Sequence, residues 1–146
     1  MKNNNIITID GPSASGKGSL AKALAKKLNF ILLDSGLLYR AYSYCFDQSQ
    51  NHSRATEQFS NLRIDSIEHE MHVFEQKKDI TSILRHENVA KSASKLSSLK
   101  ETRENLISFQ RDLASNHGLV ADGRDMGTVV FPDARTKIFL VADAEV

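Results

Sequence analysis

The chain has 146 residues, 40% apolar and 25% charged, so it is long enough for one hydrophobic core and too short for two full-sized domains. Its net charge of +1 gives no reason to expect a nucleic-acid polymer or a membrane as partner, and no apolar run reaches membrane-spanning length. The single cysteine, Cys45, excludes an internal disulfide. Without a secretory signal, this composition predicts a cytoplasmic protein in which Cys45 is a core thiol.

The first predicted elements are a strand, a glycine-rich loop and a helix. The β-branched run at residues 6–9 predicts a buried strand, and the apolar stripe at residues 19–28 predicts an amphipathic helix. Small residues between them let the backbone wrap around a phosphate, which the helix dipole and Lys17 also attract. The predicted phosphate-binding residues are Gly11, Pro12, Ser13, Ala14, Ser15, Gly16, Lys17, Gly18 and Ser19.

The next segments alternate between strand and helix patterns. A second apolar strand is predicted at residues 30–33, and a helix at 36–47 with Leu37, Leu38, Ala41 and Cys45 inward. Residues 48–56 are polar and predict a boundary. The period-two alternation within residues 57–87 predicts a small antiparallel meander with a turn at 76–79, and residues 86–96 should return to helix.

The helix predicted at residues 99–116 carries a charge within its apolar stripe. Leu99, Leu106 and Leu113 recur at intervals of seven, with Arg103 and Gln110 between them. A charge centred on a buried face is costly unless it is paired. Two interpretations are therefore open: Arg103 reaches solvent or pairs internally, or this face lines a cleft.

Two further apolar strands, at residues 118–122 and 136–141, complete a predicted α/β fold. Strands that are apolar on both faces and alternate with helices predict a parallel sheet of the P-loop NTPase type, covered by helices on both faces. The last four residues, Asp143 to Val146, look like the first turn of a helix. We therefore expect the natural chain to continue, so that the C-terminal part of the fold is missing from this sequence.

Three predicted strand ends carry polar residues. The glycine-rich loop follows the first strand, Asp34-Ser35-Gly36 follows the second, and Asp122-Gly123-Arg124-Asp125 follows the third. Ligands of open α/β sheets bind beyond the carboxyl ends of the strands. A surface ion pair is the alternative role for Arg124 and Asp125, but the convergence of three strand ends favours a ligand site.

Four motifs resemble those of the bacterial cytidylate kinase family. They are Ile-Asp-Gly-Pro-Ser-Ala-Ser-Gly-Lys-Gly-Ser, Leu-Leu-Asp-Ser-Gly-Leu-Leu-Tyr-Arg, Thr-Arg-Glu-Asn-Leu with Gln110-Arg111 after it, and Ala-Asp-Gly-Arg-Asp-Met-Gly-Thr-Val-Val-Phe-Pro-Asp-Ala. They run from residue 6 to residue 134 in the family's order. The resemblance implies transfer of the ATP γ-phosphoryl group to CMP or dCMP, with Mg²⁺ bound by Ser19 and, through water, by Asp122.

The resemblance also implies roles for single residues. Lys17, Arg40 and Arg124 would be catalytic. Ser35, Arg40 and Arg124 would hold the monophosphate, while Ser94, Arg103 and Asp125 would read cytosine beside Tyr39. Residues 1–50 and 88–146 would form the kinase core, and residues 51–87 the inserted monophosphate-binding subdomain.

Further expectations follow from the same resemblance. In the family the lid arginines lie beyond Val146, so this chain would bind nucleotides and turn over poorly, and we expect a monomer. Two alternatives stay open on the sequence: a non-catalytic nucleotide-binding fragment, and another small P-loop kinase.

Overall fold

A computed structural model describes residues 5–12, 14–114 and 118–141. No helix in this part of the chain combines the length and apolar character needed to cross a membrane. In chain order the elements are β1 (Ile6–Asp10), α1 (Lys17–Leu28), β2 (Ile31–Asp34), α2 (Ser35–Ser49), α3 (His52–Ser60), β3 (Arg63–Ile67), β4 (Glu70–Glu75), β5 (Lys78–Asp79), α4 (Thr81–Leu84), α5 (Glu87–Ser97), α6 (Lys100–Asp112), β6 (Leu119–Gly123), a π-helical turn (Met126–Val130) and β7 (Thr136–Phe139). The chain folds as two compact units, which are Met1–Ser35 with Glu68–Glu70 and Gln110–Val146, and Gly36–Ile67 with Met71–Phe109.

The first unit is built on a four-stranded sheet in the order β2-β6-β1-β7. The neighbouring strands β2 and β6, β6 and β1, and β1 and β7 all pair in parallel. Thr8 and Ile9 are adjacent in β1 and both are fully buried, so both faces of the sheet are covered there. The predicted parallel α/β sheet is confirmed.

Helix α1 covers one face of this sheet. Its buried Ala21 and Ala25 pack in one cluster with Ile9, Leu32 and Val120 of three neighbouring strands. On the other face, the Met126–Val130 turn approaches Thr8 so closely that a Cβ on Gly127 would lie 2.7 Å from the Thr8 hydroxyl oxygen. Only glycine allows this contact, so the turn is fixed against β1.

The second unit contains nearly all of α2, then α3 to α5 and most of α6. It also holds most of a three-stranded sheet in the order β3-β4-β5, whose Glu68–Glu70 segment belongs to the first unit. Glu68 and His69 join β3 to β4 with φ angles of 52° and 62°, which are typical of a two-residue hairpin turn, and β4 pairs antiparallel with β5. The predicted meander is confirmed. Cys45 on α2 is 2% exposed, as expected of a core thiol.

Two predictions for the segment at 57–87 are wrong in detail. Residues 57–60 belong to α3, which begins after Asn51 because the side chain of Asn51 accepts a hydrogen bond from the Arg54 N–H at 3.0 Å. The predicted turn at 76–79 is shorter, since Lys78 and Asp79 already pair with β4.

The predicted apolar stripe on the last long helix is confirmed at Leu106 and Gln110 and wrong at Leu99 and Arg103. Helix α6 begins at Lys100, Leu99 before it is 45% exposed, and Arg103 is exposed. The buried positions are Thr102, Leu106 and Gln110, which are spaced by four residues. The buried face is therefore rotated away from Arg103, whose charge stays in contact with solvent.

Candidate nucleotide site

The loop between β1 and α1 has a backbone suited to an anion. Ala14 and Gly16 have left-handed φ angles of 62° and 85°, and the Ser15 hydroxyl donates a hydrogen bond to the Pro12 carbonyl at 2.8 Å. Gly16 at the N-terminus of α1 has no side chain to cap the helix, and the first turn of α1 contains no acidic residue. Its first N–H groups therefore point toward the loop, where an anion would be stabilised. Ser13 lies outside the described residues, as does the helix start predicted at Asp143 to Val146.

Gly11 is required by a close backbone approach. The Leu140 N–H donates to the Asp10 carbonyl at 2.8 Å, and a Cβ on Gly11 would lie 2.8 Å from the Leu140 carbonyl oxygen. Glycine is therefore required at this position because the chain after β7 passes close to it. The sequence pattern alone does not reveal this requirement.

Three predicted strand ends meet at one edge of the sheet. Asp34 of β2 is the register partner of Asp122 of β6, and Asp10 of β1 is the partner of Gly123. Because the strands are parallel, all three carboxylates lie at the edge of the sheet where the phosphate-binding loop begins. This part of the predicted convergence is confirmed.

Lys17 and Asp122 form an ion pair at this edge. The Lys17 Nζ lies 3.3 Å from the Asp122 Oδ1, and the two side chains are only 20% and 12% exposed. The contact is an ion pair without hydrogen-bond geometry, since Asp122 Oδ1 has no hydrogen-bond partner among the described residues. The ammonium group thus stands at the start of α1 beside a half-buried carboxylate, and both are within the first unit.

Burial raises the pKa of Asp122 above its ordinary value. The Lys17 ammonium opposes this shift, and the carboxylates of Asp34 and Asp10 add to it. A cation bound beside Asp122 would therefore favour the charged form of this carboxylate.

Asp10 has a role that the sequence analysis missed. Its side chain is buried, with 6% exposure for the residue, and its two oxygens accept backbone hydrogen bonds from Met126 at 2.8 Å and Gly127 at 2.9 Å. A buried carboxylate is costly unless it accepts hydrogen bonds. An aspartate at the end of a predicted buried strand was therefore a sequence signal for this role. Asp10 thereby connects the start of the phosphate-binding loop to the segment after Arg124 and Asp125.

Arg111 holds the other end of the same turn. Its Nε donates to the Val130 carbonyl at 2.9 Å and its Nη2 to the Val129 carbonyl at 3.1 Å. Arg111 lies within one of the four motifs, but no contact could be predicted for it, because no local pattern marks a guanidinium that binds carbonyls 18 and 19 positions away.

The remaining predicted site residues lie on several elements. Ser35 is buried at the start of α2, where Tyr39 and Arg40 are half-buried. Ser94 is exposed on α5, and Arg124 is exposed directly after β6, with Asp125 half-buried beside it. Their roles toward a substrate stay predictions.

Comparisons with known proteins agree on one family. The family model described as cytidylate kinase matches residues 7–146. The chain is 44% identical to cytidylate kinase 2 of Haemophilus influenzae over 96% of this chain and 66% of that protein. It is 43% identical to cytidylate kinase of Mannheimia succiniciproducens over 99% of this chain and 67% of that protein, and 42% identical to cytidylate kinase of Protochlamydia amoebophila over 97% and 64%. The chain thus spans about two thirds of the length of the curated relatives it matches.

Proposed function

The chain belongs to the cytidylate kinase family, and from this we propose that it transfers the γ-phosphoryl group of ATP to CMP or dCMP, giving ADP and CDP or dCDP. The observation that carries the proposal is the phosphate-binding loop, whose end places Lys17 3.3 Å from Asp122 at the carboxyl edge of the sheet. The proposed reaction needs no covalent intermediate on the enzyme, because an oxygen of the monophosphate attacks the γ-phosphorus of ATP directly.

The loop and α1 would hold the phosphates of ATP. The N–H groups of residues 14–19 and the dipole of α1 favour phosphate oxygens, and Lys17 would move from Asp122 to the outer phosphates. Arg40 and Arg124, as proposed catalytic residues, would neutralise charge on the transferring group, and Ser35 would hold the monophosphate. Alignment and charge neutralisation supply the catalysis, since a monophosphate oxygen is already anionic.

The residues at the sheet edge fit Mg²⁺. Among the described residues, no cluster of three or more His, Cys, Asp or Glu could hold a metal alone, and Mg²⁺ in such sites takes one or two protein ligands besides phosphates and water. The exposed hydroxyl of Ser19 would bind the ion directly, and Asp122 would hold it through water, with its Oδ1 that has no hydrogen-bond partner in the described structure. Bound there, Mg²⁺ would neutralise phosphate charge in the transition state.

Cytosine recognition is proposed for Asp125 and Arg103, with Ser94 and Tyr39. Cytosine presents an exocyclic amine and two ring acceptors, which a carboxylate and a guanidinium match. Uracil would present an oxygen to Asp125 and an N–H to Arg103, and mismatches of this kind discriminate strongly. The kinase core at 1–50 and 88–146, the monophosphate-binding insert at 51–87, a monomeric state and a cytoplasmic location stay predictions.

The proposal is tested by offering the purified chain Mg-ATP with CMP, dCMP, UMP or AMP. ADP production and the nucleotide dissociation constants are both measured, because a chain that turns over slowly can still bind selectively. CMP-dependent ADP production, or tighter binding of CMP than of UMP and AMP, supports the proposal. Equal binding of all monophosphates without CMP-dependent turnover would overturn it in favour of a non-catalytic nucleotide-binding protein.

A further inference from the structure

The Met126–Val130 turn is held at both ends by side chains that no predicted role includes. Asp10 accepts the N–H groups of Met126 and Gly127, and Arg111 donates to the carbonyls of Val129 and Val130. All of these residues lie in the first compact unit. The two contacts act on N–H groups at one end and on carbonyls at the other, so together they fix the direction of the turn.

The turn in its own right holds the backbone of Asp125. The N–H groups of Val129 and Val130 both donate to the Asp125 carbonyl, at 2.9 Å and 3.2 Å. Any displacement of the turn therefore displaces Asp125, and with it Arg124, its neighbour in the chain. The turn has little room to shift toward β1, because a Cβ added to Gly127 would already lie 2.7 Å from the Thr8 hydroxyl oxygen.

Asp10 also precedes the phosphate-binding loop. Its carboxylate holds the turn, while its carbonyl accepts the Leu140 N–H at 2.8 Å and Gly11 follows directly. Asp10 thus links the position of Asp125 to the position of the phosphate-binding loop. A carboxylate that accepts two N–H groups suits this role, because an amide in its place offers only one acceptor oxygen.

We propose that Asp10 and Arg111 are positioning residues for the nucleoside monophosphate: by holding the Met126–Val130 turn, they set where Arg124 and Asp125 stand relative to the phosphate-binding loop. This inference rests on the proposed function. It adds two residues that act through the backbone of the turn and do not themselves touch the substrate. A merely structural role would lower the stability of the fold and leave the discrimination between CMP and UMP unchanged.

The test compares Asp10→Asn and Arg111→Gln with Ser43→Ala as the control. Ser43 is a buried residue of α2 in the second unit, and its hydroxyl has no hydrogen-bond partner among the described residues. Dissociation constants for CMP, UMP and ATP are measured by titration calorimetry, together with the urea midpoint of unfolding. We expect both variants to bind CMP about 10-fold more weakly, as the loss of a charge-assisted hydrogen bond implies, with a smaller CMP-to-UMP ratio and ATP binding near wild type.

The outcomes separate this inference from the proposed function. Wild-type selectivity for CMP in both variants, even at a lower urea midpoint, would overturn the positioning role alone. A wild-type chain that binds ATP but not CMP would overturn the proposed function, and the inference with it. Should Asp10→Asn fail to fold, Arg111→Gln decides, with Arg111→Lys expected to recover part of the CMP affinity because a lysine can still reach one of the two carbonyls.

Discussion

The Lys17 Nζ lies 3.3 Å from the Asp122 Oδ1, so the lysine of the phosphate-binding loop is paired with the carboxylate that ends β6. Two further carboxylates, Asp34 and Asp10, act on the same group. Lys17 therefore brings positive charge to this acidic sheet edge, and its removal should affect both phosphate binding and the charge balance of the edge.

Substitution of Lys17 by methionine should weaken Mg-ATP binding and slow any phosphoryl transfer by roughly 100-fold, the order of effect of losing one charged stabiliser of a transferring phosphate. Lys26→Met is the matched control, because Lys26 is exposed in the last turn of the same helix. Calorimetric titration with Mg-ATP and an ADP-release assay measure the two effects. Equal losses in both variants would show that helix charge, and not Lys17 itself, is responsible.

The raised pKa of Asp122 predicts a pH dependence of stability. Because the folded state binds this proton more tightly than the unfolded state does, the contribution of Asp122 falls as pH rises above the ordinary aspartate pKa through its raised folded value. Asp122→Asn should therefore gain stability relative to wild type between acidic and neutral pH. Urea unfolding of both proteins across this range measures it, and a constant difference would contradict the prediction.

Substitution of Asp125 by alanine should abolish the preference for CMP over UMP. The reason is that the proposed acceptor of the cytosine amine is lost, while the contacts of the phosphates are retained. Asp47→Ala is the control, since Asp47 is an exposed carboxylate on α2. The ratio of the CMP and UMP dissociation constants is the measurement, and an unchanged ratio would remove Asp125 from base recognition.

Asp79 should stabilise the fold at neutral and mildly acidic pH and lose this effect at strongly acidic pH. Hydrogen bonds from the side chain and the backbone of Thr81, followed by that from His72, lower the pKa of Asp79 to about 2. Its contribution is present above the ordinary aspartate value of 3.8 and is lost as pH falls toward 2. Asp79→Asn should be less stable than wild type at neutral pH by a small amount, since the side chain is 40% exposed. Thermal unfolding should show this difference vanishing near pH 2.

The thiol of Cys45 should be unreactive in the folded protein. Burial, with a smaller effect from Glu75, raises the pKa of Cys45 to about 12, and the reactive form of a cysteine is the thiolate. A thiol reagent at mildly alkaline pH should therefore label the native chain slowly and the urea-unfolded chain stoichiometrically. Rapid labelling of native protein would show that α2 opens locally at Cys45.

Local sequence patterns determined much of this protein. The apolar runs that became β1, β2, β6 and β7, the helical stripe of α1 and the glycine-rich loop all depend on neighbours within a few positions, so their type and order could be predicted. The parallel sheet and the meeting of three strand ends then followed from the general rules of α/β folds. The four motifs further pointed to the family that the comparisons identify.

Tertiary structure alone decided which faces are buried and which groups meet. The sequence placed Arg103 within an apolar stripe and left open whether it reaches solvent, pairs internally or lines a cleft. The packing of α6 buries Thr102, Leu106 and Gln110 and leaves Arg103 exposed. Asp10 holds the N–H of Met126 across 116 positions of the chain, and no short-range pattern encodes a contact at that distance. Such pairs form only when the sheet brings remote strand ends together, because a buried carboxylate then takes whichever donors the fold supplies.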